Sequence, residues 1–410
     1  MRKAVRIRRT FSREEQRCEN TAKILEEKKV KNMDKKLRIA MFGHKRIPSR
    51  EGGVEIVVEE LATRMVLGGH SVTCYNRSGH HVSGSQFDEK IVGSMYKGVK
   101  LKSVPTIEKK GLAAVTSSFF GALFAAMGKY DVVHIHAEGP AVFCWIPKIF
   151  RKEVVVTVHG LDWQREKWKE SFGSKYIHFG EKMAVKWADE IVVLSKEVQN
   201  YFRRMYDRKT QVVPNGVNRP QIVEAKEIVD VFRLEKDSYV LYLGRIVPEK
   251  GEHYLIEAWK SIDSDKKLVI AGGVSDTDEY MQKLRALAGT DDRIIFTGFV
   301  QGRLLEELYS NAYVYVLPSD LEGMPLSLLE AMSYGNCCLV SDIDECNSVV
   351  EDKAVVFKKS SVIDLKEKLQ VLIDNPDEVE RYKNAAAGFI CKKYAWDEIV
   401  EATVKLYRKD

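Results

Sequence analysis

The sequence predicts an α/β protein of two Rossmann-like, doubly wound parallel-sheet domains facing a central cleft, and three observations carry that expectation. Its 410 residues exceed what one ordinary hydrophobic core organises. Short, continuously apolar runs alternate with segments of helical apolar spacing, the pattern of strands buried on both faces between helices. The alternation ends near residue 217 and starts afresh at Tyr239 after a polar connector. Sheets of this kind bind ligands beyond the carboxyl ends of their strands, so two facing sheets would share one cleft.

In chain order, Leu37 to Gly43 (LRIAMFG) reads as the first strand and Val54 to Val66 as the helix after it. The loop between them holds Gly52 and Gly53, where backbone can approach phosphate or sugar closely. It is not GxGxxG, so the dinucleotide fingerprint is absent. A strand at Ser71 to Tyr75, a helix at Leu112 to Met127 and strands at Asp131 to His136 and Glu153 to Val158 follow. Tyr176 to Ala188 is a helix and Glu190 to Leu194 a strand. Val212 to Val217 (VVPNGV) reads as a strand ending in a Pro-Asn-Gly turn. The second domain takes its strands from Tyr239 to Leu243, Lys267 to Ala271, Arg293 to Thr297, Ala312 to Leu317 and Cys338 to Ser341. A helix at Tyr394 to Tyr407 is expected to cross back to the first domain. The expected division is therefore a basic leader at 1–33, a first domain at 34–217, a second at 218–393 and a terminal helix at 394–410.

Composition excludes several classes. With 45% hydrophobic and 30% charged residues the chain reads as soluble and globular rather than disordered or membrane-spanning. Its longest apolar stretch, Leu112 to Met127, is broken by Thr116, Ser117 and Ser118 and falls short of the roughly 20 residues that cross a bilayer. A buried helix is expected there. The seven cysteines form no CxxC pair and no secretion signal precedes them, which fits a reducing cytosol. The net charge of +6 argues little for nucleic acid, because residues 1–33 hold 11 Lys/Arg against 5 Glu and leave the remainder formally neutral. That leader reads as an overlong start or a solvated helical tail, with docking on anionic lipid as the sharper alternative.

The chemistry concentrates in Pro318 to Gly335 (PSDLEGMPLSLLEAMSYG), where a polar loop with Glu322 runs into a helix almost without a polar face. Pro325 suits its first position, and Met324 and Gly323 stand just before it. Glu330 lies inside this apolar helix, so a polar partner is expected to meet its carboxylate. Amides at the helix start suit a phosphate and carboxylates suit hydroxyls; together they suggest a sugar nucleotide. After the strand at Tyr239 comes Gly244 to Gly251 (GRIVPEKG), where Arg245 and Lys250 can neutralise a diphosphate. Asp276/Asp278 and Asp342/Asp344 imitate a DxD metal motif but are expected to cap helices, and His134/His136 have no third ligand in view. No metal and no cofactor is assigned.

GRIVPEKG, EGMPLSLLE and the GGVE of the first domain resemble the retaining glycosyltransferases of family 4, over nearly everything after Met33. The resemblance implies the GT-B fold and a nucleotide-diphosphate sugar (UDP-, GDP- or dTDP-linked) as donor. It implies that Arg245 and Lys250 bind the donor diphosphate, that Glu330 holds the ribose hydroxyls and that Glu322 lies beside the donor sugar. It also implies that Gly52 and Gly53 sit near the phosphates and that His159, in TVHG, reaches the donor sugar. GHKRIPSREGGVE and HGLDWQREKWKES are similar to a subgroup that includes rhamnosyltransferases of cell-surface polysaccharide synthesis. Trp163 and Trp168 in the latter segment could stack on an acceptor sugar or serve packing. One departure is Ser341 to Glu345 (SDIDE), where the family more often has a glycine-rich turn. The expected activity is retaining transfer to a growing polysaccharide or lipid-linked acceptor, in the cytosol, with peripheral contact at the inner face of the membrane. The alternatives are a nucleotide-sugar epimerase or sugar phosphorylase on the same fold, or a non-catalytic sugar-binding subunit.

Overall fold

The computed structural model of the protein describes residues 35–79, 94–109, 111–164, 172–273 and 278–408. The leader at 1–33, Trp168 and Asp276 lie outside these residues, as does the side chain of Asp278. Among the described residues two sheets form. The first runs β3-β4-β2-β1-β5-β6-β7-β8, with β1 at Arg38–Phe42, β2 at Ser71–Arg77, β3 at Met95–Tyr96 and β4 at Val99–Val104. Its other strands are β5 at Val132–His136, β6 at Glu153–Val158, β7 at Glu190–Val193 and β8 at Gln211–Val212. All pair in parallel except β3 on β4. The second sheet is parallel throughout, in the order β11-β10-β9-β12-β13-β14. Here β9 is Tyr239–Leu243, β10 Lys267–Ala271, β11 Ile294–Gly298, β12 Val314–Leu317, β13 Cys337–Ser341 and β14 Val355–Phe357.

The central strands are buried because helices cover both faces; all five residues of β5 and of β13 are buried, His134 and His136 included. Strand order reverses beside β1 in the first sheet and beside β9 in the second. At such a switch point neighbouring loops leave in opposite directions and open a crevice at the carboxyl ends of the strands. The crevices face each other. Loops after β1 and β6 therefore meet loops after β9 and β12.

Several expectations change. Val212–Val217 is not one strand: β8 ends at Val212, since Pro214 offers no N–H to a ladder, and Val217 instead pairs with Ala395 near the chain's end. β4 (VKLKSV) stands outside the expected strands although Val99 and Leu101 alternate inward with outward Lys100 and Lys102, while β3 and β14 are too short to show a period. Leu112–Met127 is a helix with the expected limits but is not buried all round. Its small residues Gly121, Ala122, Ala125 and Ala126 face in, while Leu112, Phe119 and Met127 are exposed. The last helix, Trp396–Leu406, leads to Tyr407, whose hydroxyl meets His134 Nδ1 of β5 at 2.6 Å.

Candidate active site

The loop after β9 is shaped by tyrosines and a carboxyl beneath it. The Tyr242 hydroxyl lies 3.0 Å from the Arg245 carbonyl oxygen and 2.8 Å from Glu252 Oε1, and the Tyr280 hydroxyl lies 3.1 Å from Glu252 Oε2. Burial lifts the Glu252 carboxyl to about 8. It therefore keeps its proton near neutrality and can donate to one hydroxyl while accepting from the other. Pro248 opens a single 3₁₀ turn that ends at Lys250. The Lys250 ammonium donates to Glu322 Oε1 at 2.5 Å, and the Ser319 hydroxyl reaches the same oxygen at 2.6 Å. Both members of this ion pair are largely buried, with side-chain exposures of 12% and 6%.

After β12 the chain passes Glu322 and enters the helix Leu326–Ser333, in which Leu326, Leu328, Leu329, Ala331 and Met332 are buried. Pro325 is not its first helical residue as expected. It stands one place earlier with extended backbone (φ −76°, ψ 96°), and its carbonyl accepts from Leu328 N at 3.1 Å. Glu330 is half-buried and does have polar partners. Arg50 Nη2 of the first domain donates to Oε1 at 2.6 Å, and the Tyr309 hydroxyl donates to Oε2 at 3.3 Å. The neighbouring carboxylate raises the guanidinium's pKa further above its ordinary value.

The facing wall comes from β5 and β6. His134 is held between the Tyr407 and Thr157 hydroxyls, at 2.6 and 2.7 Å, and stacks on His136 with ring centroids 4.1 Å apart. His136 Nδ1 meets His159 Nε2 at 3.1 Å. Burial holds His134 and His136 far below the ordinary imidazole range, so both stay neutral. The pair shares one proton. That constraint ties the tautomer of His159 to that of His136.

The two walls touch at glycines. A Cβ on Gly323 would sit 1.9 Å from the His159 carbonyl oxygen, and one on Gly160 (φ +152°) would sit 3.0 Å from the Gly323 Cα. No side chain fits at either position. Beside this contact lies a cavity of about 230 Å³, bounded by Arg245, Lys250, Glu322 and Gly323 on one side and by Gly160, Leu161, Tyr201 and Arg204 on the other.

The structure thus brings Arg245, Lys250, Glu322 and Gly323 to one cavity with Gly160 and Leu161, while His159 itself is not in the lining and meets His136 and, through its carbonyl, Gly323. Glu330 belongs to a second cluster with Arg50, close to the Gly52–Gly53 loop, where a Cβ on Gly53 would stand 3.2 Å from the Leu326 Cδ1. Met324 serves the domain contact: Asn215 N lies 3.0 Å from its sulfur. Arg50, Ser319, Tyr201 and Arg204 escaped the sequence reading, and His136, weighed there only as a metal ligand, proves to be the partner of His159. Arg50 carried one signal, its place two residues before Gly52 in a loop already singled out. Its partner is 280 residues away, which no local pattern shows.

The DxD look-alikes resolve differently from expectation. Asp342 Oδ1 accepts from Lys359 N at 2.7 Å and is thus a loop tie, while Asp344 lies in the first turn of the helix Asp344–Val350, whose cap is Ile343. Among the described residues no group of three His, Cys, Asp or Glu is placed to hold a metal ion. Trp163 packs edge-on against His178 with ring centroids 5.6 Å apart and lies tilted 6.2 Å from Tyr201.

Comparison with known proteins places this geometry. The sequence pattern of Glycosyltransferase Family 4 matches residues 51–220, and that of Glycosyl transferases group 1 matches residues 224–389. An uncharacterized glycosyltransferase of Methanocaldococcus jannaschii is 28% identical over 308 residues, covering 68% of this chain and 75% of the relative. The fold is similar to that of sucrose-phosphate synthase from Thermosynechococcus elongatus, with a TM-score of 0.76 at 20% identity over 91% of this chain and 98% of that one. It is also similar to HepE of Anabaena, solved in complex with UDP-glucose, with a TM-score of 0.72 at 16% identity over 90% and 98% of the two chains. Two parallel-sheet α/β domains in this arrangement define the GT-B class. Within it, the chain is a glycosyltransferase of the group 1 type, with a Family 4 domain preceding the group 1 domain.

Proposed function

We propose that the protein transfers a sugar from a nucleotide-diphosphate donor to a growing cell-surface polysaccharide or lipid-linked saccharide, with retention of anomeric configuration. The observation that carries this reading is the cavity in which Arg245, Lys250 and Glu322 face Gly160 and Leu161 of the other domain, the two residues after His159. As the sugar leaves, negative charge grows on the diphosphate, and Arg245 and Lys250 in the cavity lining are in place to receive it, with the Leu326–Ser333 helix starting three residues beyond Gly323. The bond from the anomeric carbon to phosphate breaks, the bond to the acceptor oxygen forms on the same face, and the acceptor proton passes to the leaving phosphate. No side-chain base is required. Glu322 and His159 orient the donor sugar, and Glu330 takes the ribose hydroxyls. The donor in the solved HepE complex, UDP-glucose, supports a nucleotide-sugar substrate here. The reading places the enzyme in the cytosol with peripheral contact at the inner membrane face. Screening UDP-, GDP- and dTDP-sugars for acceptor-dependent transfer, with the product's anomeric configuration read by NMR, tests it. Interconversion of donors without an acceptor would point to an epimerase, and an inverted product would remove retention.

A further inference from the structure

The helix Leu112–Met127 is built the wrong way round for a water-facing surface. Its inward face is made of Gly121, Ala122, Ala125 and Ala126, and Leu112, Phe119 and Met127, spaced along one stripe, point outward. It carries no Asp, Glu, Lys or Arg along its whole length. The stripe continues onto the next surface segment: Phe119 meets Phe143 edge-on with ring centroids 5.6 Å apart, and Trp145, Ile149 and Phe150 follow, exposed. Met127 and Ile149 are each 61% exposed. Scattered apolar residues need no explanation, but a joined band with aromatics at its centre does.

Charge around the band is mainly positive, with Glu108 as an exposed carboxylate beside Lys109. Lys109, Lys129 and Arg151 are exposed at its rim, and none has a carboxylate partner among the described residues. Between Gly111 and Lys152 the acidic residues are Asp131 and Glu138. Asp131 is held by Arg38 at 2.7 Å and Glu138 is buried, so neither opposes a negatively charged partner. An apolar band whose rim carries more cations than anions matches a bilayer whose headgroups are anionic and whose hydrocarbon begins just below them. The helix cannot cross it, since no described helix is long and apolar enough to span a membrane.

We propose that this flank, Leu112–Met127 with Trp145–Phe150, is the surface by which the protein lies on an anionic lipid bilayer. The proposal rests on the reading of a lipid-linked acceptor reached by peripheral contact, and it names the face that makes the contact. The stripe begins at Leu112, at the end of the sheet where the strands' carboxyl ends open on the cleft, and runs to Met127, near the Arg38–Asp131 pair at the other end. Docked on this flank, the first domain presents the rim of the cleft to the membrane plane.

Full-length protein is to be tested by flotation with vesicles of phosphatidylcholine alone and of phosphatidylcholine with an equal amount of phosphatidylglycerol. Wild type is expected to float with the anionic vesicles and to be released by salt. Met127→Glu with Ile149→Glu, and separately Lys129→Glu with Arg151→Glu, should each lower partitioning by at least about tenfold. Circular dichroism and donor binding in solution should be unchanged, because none of the four residues touches the cavity. Wild-type flotation with no loss in either variant would overturn the assignment while leaving peripheral contact intact. So would loss only when leader residues Arg6, Arg8 and Arg9 are changed to Gln. No flotation of wild type would remove the peripheral reading itself, and a wild-type dimer that these variants dissociate would assign the face to a second copy of the chain.

Discussion

Arg50 and Glu330 join the two domains across the cleft, a guanidinium nitrogen 2.6 Å from a carboxylate oxygen, at the place where the proposed function puts the nucleotide's ribose. A ribose bound there must take over the acceptor that Arg50 now occupies. About a third of the Arg50 side chain is exposed, so the pair is screened and its rupture is a modest cost. Glu330→Ala should weaken binding of the free nucleotide by about tenfold or more, because two hydroxyls lose an acceptor. Arg50→Ala should tighten it by about two- to fivefold, because no ion pair then has to be opened. Calorimetry with the nucleotide distinguishes the two. A weaker complex in Arg50→Ala would mean that the arginine contacts the ligand instead of competing with it.

Transfer is expected to proceed without a divalent metal. Arg245 and Lys250 reach the cavity from one loop, while Asp342 is taken by the Lys359 amide and Asp344 stands in the first turn of a helix. Activity should persist in excess chelator and fall in Arg245→Ala or Lys250→Ala by about 2–4 kcal/mol of transition-state stabilisation. Loss of turnover on chelation, restored by magnesium or manganese, would sink this account.

Gly323→Ala isolates the closeness of the domains. The added methyl would stand 1.9 Å from the His159 carbonyl oxygen, a backbone atom that cannot turn aside. The two walls must then part, and kcat/KM should drop by about a hundredfold, as for a misplacement of roughly an ångström at a reacting centre. The melting temperature should change little, since the cores of both domains lie away from the contact. Wild-type kcat/KM in this variant would show that the closed contact is dispensable.

Stability should fall on both sides of an intermediate pH. Glu252 holds its proton up to about 8 in the fold against an ordinary 4.5, so the unfolded chain binds fewer protons between those values and stability declines as pH rises through them, by roughly 1.4 kcal/mol per unit. His134 and His44 are held down to about 3 and about 4, so below an ordinary 6.5 the unfolded chain binds more protons and stability declines as pH falls. Glu252→Gln, which offers the two tyrosines one donor and one acceptor as the protonated acid does, should flatten the alkaline limb alone. Urea titrations across the pH range read both slopes. An unchanged alkaline slope in the variant would show that Glu252 ionises normally.

Much of the architecture could be read from the residues alone because it depends on local periodicity. The buried strands at Arg38, Val132, Glu153 and Tyr239 announce themselves as unbroken apolar runs, and the helix after Pro325 as one with almost no polar face. Loops that leave the central strands with glycine and cations, such as Gly244–Gly251, carry their chemistry in sequence order, and the cavity accordingly contains Arg245, Lys250 and Glu322. One failure had a local reason: the VVPNGV strand is cut short by its own proline.

Which groups meet across the cleft was decided by tertiary structure. Nothing near Arg50 indicates a carboxylate 280 residues on, and nothing near His159 indicates that Gly323 must lack a side chain. Periodicity reports the face a residue turns toward its own core. It is silent on what a second core brings against that residue, because the contact is created only when two separately folded sheets set their switch points opposite each other. The same limit explains Leu112–Met127, whose apolar run established a helix, while packing against the first sheet determined that the small side went in and the large side was left to the surface.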